Sequence, residues 1–172
     1  MAPNVKIKRI CMIAMSTYPY DTRIRREAEA LRDEGIKVDI ICMRKNNQPQ
    51  VEEIGGINAY RILKNSKQEK ILNYVIQSIL FMILAFFKLQ VLDIKQKYQV
   101  IQAHNLPDYL VLIGLWQKFF GAKLIIDVHD PSVELFEEKW PGKKRKIFLK
   151  MLKILEKFSF IIKFKNALIG SI

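Results

Sequence analysis

A chain of 172 residues, half of them hydrophobic and with a mean hydropathy near zero, has the length of one domain and enough apolar side chain to build a core, which excludes a disordered polymer. Twenty-nine basic against 17 acidic residues give a formal charge of +12 and call for an anionic partner: nucleic acid, a membrane surface or a phosphorylated substrate. Only two cysteines are present, Cys11 and Cys42, both inside apolar strand-like runs; they are too few for a disulfide framework or a zinc site and read as inert core thiols.

The N-terminus carries basic residues but no long apolar stretch before a small-residue cleavage site, so no signal peptide is read and a cytoplasmic location is expected. Ile10 to Met15 is the first expected strand. Asp21 then precedes a helix from Thr22 to Glu34, with Ile24, Ala28 and Leu31 on one face and Gly35 as its stop. Ile36 to Met43 is a second strand. A loop at Asn46 to Pro49 and a Gly55-Gly56 turn lead to a third at Ile57 to Leu63. A long apolar helix, about Glu69 to Lys95, follows. Next come a strand at Gln99 to His104, a helix from about Asp108 to Phe119 with Gly121 as its stop, and a strand at Leu124. A basic helix from about Lys143 to Phe164 and a last strand at Ala167 to Ile172 complete the pattern. Strands alternating with helices imply a Rossmann-like α/β fold, a parallel sheet with helices on both faces.

The loop after the first strand would be glycine-rich in a dinucleotide-binding fold, yet Ser16 to Glu27 contains no glycine, which argues against an NAD or FAD site. It offers instead hydroxyls, Asp21 in N-cap position, and Arg23, Arg25 and Arg26 on the first helical turns. Arginines there can clamp a phosphate. The other reading is a solvated helix start, with Asp21 as a cap and Arg25 or Arg26 paired to Glu29. Tyr18 and Tyr20 are expected to be exposed aromatics suited to sugar or lipid stacking. Tyr18, Tyr20, Asp21, Arg23 and Arg25 are therefore candidate substrate-binding residues.

Leu124 to Asp130 is an apolar strand running into an acid–His–acid cluster, and ligands of open α/β sheets sit beyond such carboxyl ends. An adjacent carboxylate, Asp127 or Asp130, can fix the tautomer of His129, so His129 and Asp130 are the candidate catalytic pair. The second histidine, His104, also ends a strand. His104 and Asn105 are candidate substrate-binding residues, while Asn105 and Asp108 are equally suited to capping the next helix. No metal-ligand set is read.

Between Ile71 and Leu92 lies a single charge, Lys88. The run has the length of a membrane span, but Asn73, Gln77, Ser78 and Gln90 and the flanking strands point to a buried or interfacial helix, with lipid contact left open. From Lys139 to Lys165, ten basic residues face one acid, Glu156, and apolar residues lie between them. Lys143, Lys144, Arg145, Lys146, Lys150 and Lys153 would meet an anionic bilayer, or form the solvated face of a packed helix. No nucleic-acid motif accompanies the charge, so nucleic acid is not expected as a partner.

Together Tyr18-Pro19-Tyr20-Asp21-Thr22-Arg23-Ile24-Arg25-Arg26-Glu27-Ala28, Val38 to Cys42, Gly55-Gly56-Ile57, Val100 to Asp108 and Ile126 to Asp130 with Glu134-Leu135 resemble the N-terminal domain of family 4, GT-B fold glycosyltransferases. The resemblance covers nearly the whole chain. It implies one half of a GT-B fold, the acceptor-side domain of an enzyme that moves a sugar from a nucleotide-sugar to a lipid-linked glycan or polysaccharide, without an essential metal or other cofactor. His129 would lie near the transferred sugar and the Tyr18 to Arg25 loop would line the acceptor side. The donor-binding domain that the family also uses has no counterpart before Ile172. Residues 1–172 are thus expected to be a single acceptor-side domain, inactive without a donor-domain partner chain and peripheral to the cytoplasmic face of a membrane. The competing expectation is a non-catalytic membrane-anchoring or scaffold subunit of a split glycosyltransferase.

Overall fold

The computed structural model describes residues 7–66, 71–104 and 108–127. The expected basic helix and last strand, with Asn105, His129, Asp130, Lys143, Lys144, Arg145, Lys146, Lys150 and Lys153, lie outside these residues. Within them the chain runs β1 (Arg9–Thr17), α1 (Thr22–Asp33), β2 (Lys37–Arg44), β3 (Val51–Ile54), β4 (Ile57–Lys64), α2 (Ile71–Gln96), β5 (Val100–His104), a 3-10 segment (Asp108–Gly114), α3 (Leu115–Phe119) and β6 (Lys123–Asp127). The strands form one six-stranded sheet in the order β3-β4-β2-β1-β5-β6, parallel except for the antiparallel β3–β4 pair. The expected α/β sheet is present.

Strand β1 carries the architecture because it is apolar on both faces. Ile10, Met12 and Ala14 pack with Ile24 and Ala28 of α1 and with Val38, Ile40 and Cys42 of β2. Cys11 and Ile13 turn the other way, onto Phe81, Ala85 and Leu89 of α2. The chain builds outward from β1 through β2 to β4, then α2 carries it back to the opposite side of β1 as β5. The order reverses between β1 and β5, and in open α/β sheets such a reversal opens a crevice at the strands' carboxyl ends.

Two local features depart from expectation and a third sharpens it. Val51 to Ile54 forms a short edge strand that its mixed charge concealed; it hairpins onto β4 through Gly55 and Gly56, whose φ values of +56 and +83 suit the tight turn that glycine permits. The segment after β5 winds as a 3-10 turn before α3 rather than as one helix, burying Tyr109, Leu110, Val111 and Ile113 together. Gly114 marks the join, where an added Cβ would stand 2.6 Å from Leu124 Cδ1 and 2.9 Å from Ile101 Cγ2. Finally, α2 is buried on one side only, and its other side is apolar and exposed.

At the amino end of the sheet a buried carboxylate, Asp39, accepts hydrogen bonds from the Tyr98 hydroxyl (2.6 Å) and the Asn58 amide (2.7 Å), with Arg9 3.6 Å away. Asp39→Ala strands both donors in the interior and should lower stability by roughly 3 kcal/mol in denaturant unfolding. The two thiols are free and buried. Burial raises Cys11 well above the usual thiol range and pushes Cys42 from 9.0 up to about 11. The folded state thus holds these protons more tightly than the unfolded chain does; the Cys42 contribution to stability is intact below pH 9.0 and lost as pH rises through about 11, and Cys11 acts in the same direction. A thiol reagent at about pH 8 should modify neither cysteine until denaturant unfolds the chain.

Candidate functional site

Two adjacent strands end on a histidine and an aspartate. His104 of β5 lies in register with Asp127 of β6, and paired residues of parallel strands face the same side of the sheet. With Val100 and Gln102, His104 alternates onto the side covered by α1. Its Nδ1 is 3.0 Å from Asp127 Oδ2 and 3.8 Å from Oε2 of Glu27, which α1 contributes from above. Gln102, two residues earlier on the same face, donates to Glu27 Oε1 at 2.5 Å and fixes that carboxylate. His104 is 3% exposed, and its Nε2 has no hydrogen-bond partner among the described residues.

The chemistry follows from the donor count. An ionised Asp127 accepts the Nδ1–H of a neutral imidazole, which leaves Nε2 as the lone-pair nitrogen, able to accept from a hydroxyl or take its proton. A carboxylate–imidazole pair of this kind suits a general base or a fixed acceptor for a sugar hydroxyl. The ligand atoms of Glu27, His104 and Asp127 also lie within 4.8 Å of one another, a set able to hold a divalent ion. An ion at Nδ1 would first have to displace the Asp127 hydrogen bond.

The first loop is held on the other side of the β1–β5 crevice. Asp21 caps α1 as expected, accepting from Arg23 N at 3.2 Å, and Arg25 lies 3.9 Å from Glu29 one turn on. The Tyr18–Pro19 bond is cis. Tyr18 corrects its expectation: the ring is 2% exposed and belongs to the core beneath α1, so it braces the loop rather than offering a stacking face. Its carbonyl accepts from Gln48 Nε2 (3.1 Å) and from Arg61 (3.2 Å). Arg61 is itself buried and bridges to Pro49 O and, at 2.7 Å, to Glu52 of β3. Tyr20 is exposed and sits under Lys45, whose Nζ is 4.2 Å from the ring centroid. Arg23 and Arg25 are exposed. Among the described residues no hydrogen bond or ion pair joins Tyr18, Tyr20, Asp21, Arg23 or Arg25 to His104; Arg23 and Arg25 stand on α1, on which Glu27 follows Arg23 by one turn. A separate cavity of about 430 Å³ lies away from this end, between β3–β4 and α2, lined by Tyr60, Arg61, Phe87 and Lys88 among others.

A model of the family described as glycosyl transferase 4-like matches residues 9–166. The chain belongs to the glycosyl transferase 4-like family. Among solved structures it is similar to sucrose-phosphate synthase from Thermosynechococcus elongatus. One structure of that protein matches with a TM-score of 0.58 and 16% identity over 85% of this chain and 39% of that one. Another matches with 0.52 and 17% over 77% and 67%. The C-terminal domain of a hydrogenase from Pyrococcus furiosus also matches, with a TM-score of 0.50 and 12% identity over 70% of this chain and 91% of that domain. At such identities the likeness is one of fold, and the hydrogenase shows how widely this α/β unit is reused. No curated protein matches the chain.

Two members of this cluster were not singled out from sequence, Glu27 and Gln102. The signal was present: strand ends placed side by side in a parallel sheet bring His104 against Asp127, and Glu27 lies on the helix that covers them. Asp127, weighed as a partner for His129, engages His104. Arg61→Leu removes a bond to the Tyr18 carbonyl and frees Glu52. It should cost roughly 2–3 kcal/mol in denaturant unfolding and speed amide exchange across the loop after β1.

Proposed function

We propose that this chain supplies the acceptor-side half of a glycosyltransferase, which moves a sugar from a nucleotide-sugar to a hydroxyl of a lipid-linked glycan or a polysaccharide. One observation carries the reading within the family: a buried imidazole, anchored by Asp127 at Nδ1 and unpartnered at Nε2, at the carboxyl ends of β5 and β6 beside the sheet's reversal point. In this role His104 accepts a hydrogen bond from a sugar hydroxyl through Nε2, Asp127 holds its tautomer, and Glu27 keeps the ring from swinging. Tyr20, Asp21, Arg23 and Arg25 meet the acceptor at the rim, with Asn105 beside His104. His129 and Asp130, two and three residues from Asp127, remain the proposed catalytic pair at the transferred sugar.

Stabilising a departing nucleotide takes groups on both walls of a cleft, so the reaction draws on a donor-binding domain as well. It calls for no cofactor beyond the nucleotide-sugar co-substrate. The chain works at the cytoplasmic face of a membrane, where Lys143, Lys144, Arg145, Lys146, Lys150 and Lys153 are drawn to anionic lipid. Nucleic acid has no part in it.

The test is sugar transfer to a lipid-linked acceptor by the chain together with a donor-binding domain of the family. His104→Gln and Asp127→Asn should each lower kcat by about a hundredfold or more, and the double variant should lose little beyond either single one, because the two side chains act as a unit. Unchanged transfer in both would favour the scaffold-subunit reading. Activity should survive exhaustive chelation with EDTA; loss that zinc or manganese restores would instead assign the Glu27–His104–Asp127 cluster to a metal.

A further inference from the structure

Helix α2 is apolar on its outward side as well as on its buried one. An exposed helix in a water-soluble domain turns its charged residues outward. Here Gln77 and Ser78 are buried, and Gln77 donates to the carbonyl of Lys64. The outward side carries Leu72, Ile76, Ile79, Ile83, Phe87 and Ile94, each between 49% and 78% exposed. At about 3.6 residues per turn these six fall within roughly 80° of arc along some 33 Å of helix. Of an 18-residue window that passes for a membrane span by hydropathy, only 28% is buried. The opposite side rules out spanning: Phe81, Ala85 and Leu89 are wholly buried against the sheet, so α2 is fastened to the domain along its length.

A second element extends the same surface. Gln117 of α3 donates to Gln90 of α2 at 2.9 Å, which seats α3 beside the outward stripe. Trp116 and Phe119 of α3 and Phe120 just after it are 54%, 82% and 68% exposed, and their rings meet edge to face at 5.2 and 5.5 Å. Aromatics with one wet edge concentrate at membrane–water interfaces. Of the charged side chains of α2 and α3, Lys88 turns away from the stripe onto the Tyr60 ring, 4.7 Å from its centroid, and the carboxylate of Asp93 is turned inward to the Tyr98 amide; Lys95 and Lys118 remain, with Lys97 just beyond α2. The patch is thus apolar in a chain of formal charge +12, complementary to an anionic bilayer and mismatched to a second positively charged copy of the chain.

We propose that the outer face of α2, with the aromatics of α3, is a membrane-docking surface that lies in the plane of an anionic bilayer. The lysines sit at headgroup level and the apolar side chains sit below it. The surface is independent of the transfer chemistry and differs from attraction by the basic segment in one measurable respect: apolar insertion persists in salt that screens charge.

The experiment is vesicle co-sedimentation of the full chain with phosphatidylglycerol/phosphatidylcholine and pure phosphatidylcholine vesicles, at low and at high salt. Binding to the anionic vesicles should largely survive high salt. Ile79→Gln, Ile83→Gln and Phe87→Gln combined should weaken it by at least about tenfold, with an unchanged far-ultraviolet circular dichroism spectrum. In a Trp140→Phe background, Trp116 emission should shift to the blue and be quenched by brominated lipid; should the triple variant fail to fold, this quenching decides alone. Three results would overturn the proposal: no vesicle binding, binding that the triple variant retains with Trp116 unquenched, or a dimer that the triple variant dissociates without any lipid contact.

Discussion

The structure depends on one strand being buried twice. Because β1 is apolar on both faces and paired on both edges, the chain must cover it with α1 on one side and α2 on the other, and must extend the sheet in both directions from it. The reversal at β1–β5 is the geometric result, and the crevice at the carboxyl ends follows from the reversal. The loop after β1 and the last residue of β5 flank this position because of the topology. Site and fold therefore share a cause.

The site itself is built from strand register. His104 and Asp127 meet because each ends its strand at paired positions, and Gln102 meets Glu27 because side chains two apart share a face. The polar groups of the cluster are packed among apolar neighbours: Asp127 meets Nδ1, Gln102 meets Glu27, and His104 Nε2 is buried without a partner among the described residues. An unmet buried nitrogen is costly in a finished protein, and that cost is expected where a ligand completes the hydrogen bonding.

Much of this was legible in the residues. The apolar runs gave the central strands, Asp21 and Gly35 gave the ends of α1, and the Gly55-Gly56 pair gave the hairpin turn. The legible part stopped where a pattern depends on what lies across it. Val51 to Ile54 carries two glutamates and forms a strand only because β4 supplies its partner. Tyr18 looked like a loop aromatic, and burial beneath α1 could not be seen without the sheet. The composition of α2 announced an apolar helix, but with apolar residues all round it, which side faced the sheet could not be read: Phe81, Ala85 and Leu89 are buried while Ile79, Ile83 and Phe87 are exposed. The pairing of His104 with Asp127 was available in principle, since the two strands are neighbours, but it required their register.

The doubly accepted carbonyl of Tyr18 has one more consequence. Gln48 and Arg61 hold that oxygen from the outer strands, and Arg61 is in turn pinned to the edge hairpin through Glu52. The path of the loop is thus dictated from behind, by groups that never face the crevice. Tyr20, Arg23 and Arg25 on its front can be exchanged without rerouting the main chain. A loop held in this way can take new side chains without losing its course, so the composition of this edge and the placement of His104 are free to vary separately.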